Sequence, residues 1–147
     1  MAPAIILIGA TLVFRGLGAL GVGALDTWVD STRVALALMF LFTAAAHFNR
    51  MKDDLIRMVP PSFPNPRALV SATGALEILG AIGLLVPATR RLAAWGLALM
   101  LLALFPANVS AARRHLTLRG KPVTPLAIRL PIQILFLAAC LWVALRG

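Results

Sequence analysis

Arg15, His47, Glu77, Asn108, Arg129 and Gln133 stand out by chemistry, because each falls inside a run built otherwise from Leu, Ala, Ile, Val, Gly and Phe. An ionisable group at the centre of a bilayer costs about 2.5–3.5 kcal/mol on insertion scales, so such groups are paired or placed in a cavity. Glu77 offers a carboxylate that accepts a hydrogen bond or a proton. His47 can connect such a group to water, and Arg129 can bind a partial negative charge. Asn108 adds an amide, and Gln133 shares a helix face with Arg129, four residues away. The set suits the polar head of a lipophilic molecule. It does not suit hydrolysis, since no Ser/His/Asp arrangement is present and the two histidines are far apart for a metal site. Cys140 is the single cysteine, so it forms neither an intramolecular disulfide nor a cysteine-based zinc site. Without a secure catalytic motif, the chain leans away from an enzyme.

These residues need elements to hold them, and composition says in which solvent. Of 147 residues, 61% are hydrophobic and 13% charged, against about 45–50% and 25% in a soluble domain. That excludes a water-soluble globular enzyme, and intrinsic disorder with it. A net charge of +9 would suggest nucleic acid on a soluble chain. Here the basic residues cluster between apolar runs, the pattern of a polytopic membrane protein facing anionic lipid, so no nucleic-acid partner is expected.

A bilayer core about 30 Å thick takes roughly 20 helical residues. Stretches near that length run over 4–25, 33–49, 67–86, 92–112 and 126–145. They are continuously apolar rather than alternating, which argues against a membrane barrel. The expectation is a single all-α transmembrane bundle with five spans. Residues 51–60 alternate Met51, Leu55, Met58 and Val59 with Lys52, Asp53, Asp54 and Arg57, as in a short interfacial helix ended by Pro60-Pro61. Asn65-Pro66 supplies an N-cap and an N1 proline for the third span. Gly120-Lys121-Pro122 marks a turn in the basic loop.

One side of such a bundle holds Arg50, Lys52, Arg57, Arg67, Arg113, Arg114, Arg119 and Lys121, the other Arg33, Arg90, Arg91 and Arg146. The positive-inside rule puts the N-terminus and the two longer loops in the cytoplasm and the C-terminus outside, in a bacterial inner (plasma) membrane. Counted from the cytoplasmic helix ends, His47 and Arg129 lie about 3–5 Å deep, Asn108 about 6 Å, Gln133 about 10 Å, Glu77 about 15 Å and Arg15 about 17 Å. The one-sided distribution predicts a polar cavity open to the cytoplasm, with Glu77 and Arg15 at its floor. Arg15 is the expected partner of Glu77, with Arg129 the alternative. Competing structural readings are a packing ion pair for Arg15 and Glu77, an interfacial histidine for His47, interhelical glue for Asn108 and a snorkelling side chain for Arg129.

Several segments resemble DoxX-like membrane proteins: Met39-Phe40-Leu41-Phe42 with Ala46-His47-Phe48, Met58-Val59-Pro60-Pro61, and Thr73-Gly74-Ala75-Leu76-Glu77 with the Gly80–Leu85 run. Phe105-Pro106-Ala107-Asn108-Val109 and Arg129-Leu130-Pro131-Ile132-Gln133 complete the pattern. The resemblance covers roughly residues 33–146. It implies a compact four-helix membrane bundle, to which this chain adds a leading helix carrying Arg15. It also implies association with membrane redox systems, one relative being a subunit of a thiosulfate:quinone oxidoreductase.

Two functions of different class follow. In the first, a lipophilic, quinone-like molecule enters the bundle and its head meets Glu77, His47, Asn108 and Arg129. In the second, the chain is a structural or assembly subunit whose Gly9, Gly16 and Gly23 face recruits a second copy or a membrane redox partner. Proton-coupled transport is weaker, for want of paired broken helices.

Overall fold

The structure, a computed structural model, describes every residue except Arg119. Arg119, counted above among the basic residues of the last loop, lies outside the described residues. Helix α1 spans Ala2–Ala19, α2 Trp28–Ala46, α3 Lys52–Met58, α4 Pro66–Leu85, α5 Arg90–Arg113 and α6 Leu126–Arg146. A 3-10 turn covers Gly23–Leu25. In the last loop, β1 (Thr117–Leu118) pairs antiparallel with β2 (Lys121–Pro122), next to Gly120 in the left-handed region. The architecture is all-α, and α1, α2, α4, α5 and α6 are each long and apolar enough to cross a membrane.

The boundaries have local causes. Asn65 caps α4 by accepting from the Ala68 amide, and Pro66 opens it. The expected interfacial segment is α3, which stops before Pro60. The first apolar stretch does not stay helical to Leu25. The chain turns at Gly21, whose φ is +105°, and the Leu25 backbone folds against Gly18, where a side chain would collide. Likewise α2 begins at Trp28 rather than Arg33. Thr27 accepts from the Asp30 amide at 3.0 Å and donates to the Asp30 carboxylate at 2.6 Å, an N-cap that starts the helix early. Arg33 then reaches across to donate to the Leu84 carbonyl at the end of α4.

Helix α2 is central, flanked by α1, α4 and α6, while α5 joins α4 to α6. Leu36, Met39, Phe40, Leu84, Leu97 and Cys140 are fully buried among Ala35, Ala81, Ala94 and Ala98. In lipid, burial of apolar surface does not drive helices together, so small residues that permit close backbone approach matter more. At Gly80 an added Cβ would lie 2.5 Å from Leu97 Cδ2, so α4 and α5 touch here only because the side chain is absent. The exterior is apolar: Leu79, Leu92, Leu99 and Leu145 are each more than 60% exposed. The N-terminus and the 47–65 and 114–125 connections share one end of the bundle, called the loop end below; the short turns lie at the other.

Candidate functional site

The polar centre of the bundle forms where the end of α2 crosses α4. Gly74 makes the crossing possible: a Cβ there would lie 2.5 Å from His47 Cβ and 2.8 Å from its Cγ. The imidazole is therefore laid against α4. Its Nδ1 is 2.7 Å from the Val70 carbonyl, which only accepts, so Nδ1 carries the hydrogen. Thr73 Oγ1 is 3.3 Å from the same nitrogen and donates its own hydrogen to the Leu69 or Val70 carbonyl. Nε2 faces Glu77 Oε1 at 3.5 Å, and Glu77 Oε2 accepts from Thr43 Oγ1 at 2.8 Å. Both members of the pair are buried.

Glu77 thus finds its company in His47 and Thr43. The expected pairing with Arg15 does not form: α1 packs on α2 rather than on α4, and the Arg15 guanidinium lies 5.9 Å over the Trp28 ring, at the start of α2 and the opposite end of the bundle from His47. Nor does Arg129 reach Glu77. Its Nη1 donates to Asn108 Oδ1 at 2.6 Å and its Nε to the Thr124 carbonyl at 3.1 Å, which turns it toward α5. Gln133, on the same face of α6, donates to the Leu101 carbonyl at 2.7 Å. That bond sits beside the Leu102 carbonyl, which Pro106 deprives of its helical partner. Thr43 and Thr73 are the site residues that sequence reasoning missed. The signal was spacing: Thr43 with His47 and Thr73 with Glu77 are each four apart, one pair per helix.

A cavity of about 570 Å³ lies between α4 and α5 beside this network. Small-molecule sites fall between about 300 and 1,000 Å³. Its wall is apolar, with Leu69, Leu76, Leu99 and Met100 prominent, and its polar lining is His47, Thr73 and Asn108, near the loop end. Neither Glu77 nor Arg15 forms the floor; Glu77 lies behind His47 and Thr73. Leu55, Met58, Val59 and Pro60 cover the loop end, where the cavity was expected to open. Leu76 and Leu99 line it while standing exposed on α4 and α5, so its mouth is lateral, between these two helices. Arg114 pins the cover by donating to the carbonyls of Arg57 and Val59. Two further hollows, of about 440 and 530 Å³ along α1 and α6, have no ionisable side chain in their walls. Among the described residues no group of three or more His, Cys, Asp or Glu side chains could hold a metal ion.

A protein-family model described as a domain of unknown function (DUF8561) matches residues 36–144, from the third turn of α2 through most of α6 and including every residue of the His47–Glu77 network. No curated protein and no solved structure matches the chain. The match leaves α1 outside it and covers well over half of the sequence, so this chain belongs to the DUF8561 family.

Proposed function

We propose that this protein is an integral membrane protein that binds a small lipophilic molecule in the cavity between α4 and α5. The observation that carries this reading is the combination of an apolar cavity of about 570 Å³, a lateral mouth flanked by exposed leucines, and polar groups gathered at one end. A molecule dissolved in the bilayer would enter sideways and place its polar head near His47, Thr73 and Asn108. The Glu77–His47 pair would hold the wall of the site rather than meet the ligand, and it would keep α2 and α4 in register. The clustering of Arg and Lys at the loop end supports placing that end in the cytoplasm of a bacterial inner membrane, with the C-terminus outside. The DoxX-like resemblance of the same residues motivates a quinone-like ligand and a membrane redox system as its setting.

Binding of dimethylnaphthoquinone to purified protein in lipid nanodiscs, with empty discs as the blank, tests the proposal. The wild type should bind saturably, and Gly96→Leu, which places a side chain into the cavity, should not. Equal binding by both, or no saturable binding by the wild type, overturns it.

The assembly-subunit reading keeps one specific support: side chains added at Gly9 and Gly16 would meet nothing within 4 Å, so this face of α1 has no partner among the described residues, although Gly23, expected on the same face, lies past the end of α1 in the 3-10 turn. Cross-linking in native membranes separates the two. A stable protein partner with no bound small molecule favours assembly.

A further inference from the structure

The hydrogen-bonding groups around the cavity are mostly committed already, and the remainder describes the ligand. Both nitrogens of His47 face protein partners, the Val70 carbonyl and Glu77. The Thr73 hydroxyl spends its hydrogen on backbone carbonyls of its own helix. Asn108 Oδ1 accepts from Arg129. A guanidinium has donors and no acceptor, so the amide cannot flip its nitrogen toward Arg129 without losing that bond. Arg129 is itself held at a second point, the Thr124 carbonyl just before α6. The donor left at the polar end is the Asn108 amide nitrogen with its two hydrogens.

We infer that the cavity recognises an uncharged head bearing a carbonyl oxygen, which accepts a hydrogen bond from Asn108 Nδ2, and that Arg129 is the positioning residue that turns the amide to present this donor. The inference rests on the proposed function and narrows it to a ligand class: quinones and other lipophilic ketones. A carbonyl needs only a donor, which Asn108 supplies. A carboxylate or an amine would bring a full charge out of water into a largely apolar hollow, a desolvation cost that a neutral head avoids.

Two probes of one shape test it in nanodiscs: dimethylnaphthoquinone and dimethylnaphthalene, which lacks the oxygens. The quinone is fully substituted and does not add to thiols. The wild type should bind the quinone about two- to tenfold more tightly than the hydrocarbon, the range of one neutral hydrogen bond. Asn108→Leu should erase that ratio while hydrocarbon binding persists. Arg129→Met frees the amide to flip, so the quinone should lose its lead. Arg129→Lys, which again offers Oδ1 a donor, should restore the quinone preference in part. A wild type that binds quinone and hydrocarbon equally, or an Asn108→Leu variant that keeps the preference, overturns the inference and leaves the cavity reading standing. Failure of the hydrocarbon and the quinone alike to bind the wild type overturns both. Should Arg129→Met fail to fold, the wild-type ratio and Asn108→Leu decide the matter alone.

Discussion

Nε2 of His47 lies 3.5 Å from Oε1 of Glu77, joining the end of α2 to the middle of α4. Removing the acid strands the imidazole in a buried position, whereas Thr43 keeps its bond to the Phe40 carbonyl. A buried group left unpaired costs about 1–3 kcal/mol, more if it is charged. Glu77→Ala should therefore lower stability by about 2 kcal/mol, and Glu77→Gln, which keeps a polar partner for both Thr43 and His47, by less. Thermal unfolding in detergent reads the order of the three proteins.

Gly74 sets the distance between the same two helices. Gly74→Ala would push its methyl into His47 Cβ and Cγ, and overpacking of this kind costs about 1–3 kcal/mol. Gly9→Ala, on the open face of α1, meets nothing within 4 Å and should leave the monomer as stable as before or slightly more so. The same unfolding assay compares them.

Gly96 lines the cavity, and a Cβ built there meets nothing within 4 Å. Gly96→Leu should raise helix stability by about 0.5–1 kcal/mol, the usual cost of a mid-helix glycine, while it takes up the ligand's space. Loss of binding together with an unchanged or higher melting temperature is the expected signature.

Arg114 holds α3 over the cavity through the carbonyls of Arg57 and Val59. Hydrogen bonds from a charged donor contribute about 1.5–3 kcal/mol, so Arg114→Ala should speed amide exchange over Leu55–Val59 by roughly tenfold or more. Exchange within α4 and α6 should not change. Hydrogen-exchange mass spectrometry resolves these segments.

Much of the framework was legible because length and hydropathy decide it. The stretches 67–86 and 126–145 became Pro66–Leu85 and Leu126–Arg146, and the Asn65-Pro66 cap forms as its chemistry requires. The turn after α1 was hidden because Val22, Ala24 and Leu25 are as apolar as the helix before them; only the backbone at Gly21 reverses the chain. Thr27 and Asp30 did carry a readable signal for the start of α2. Counting residues placed Arg15 and Glu77 at similar depth, but depth does not say which helices are neighbours. With α2 beside α4, Glu77 met Thr43 and His47 instead. The cavity was least legible, since its space depends on Gly96, on the lie of α3 and on the gap between α4 and α5.

The most direct test of the binding site is photolabelling with benzophenone, a lipophilic ketone, in nanodiscs, followed by peptide mapping. Adducts should concentrate on Leu69 and Leu76 of α4 and on Leu99, Met100 and Ala103 of α5, and excess dimethylnaphthoquinone should suppress them. Adducts spread evenly over the exposed leucines of α1 and α6, unaffected by the competitor, would contradict the account.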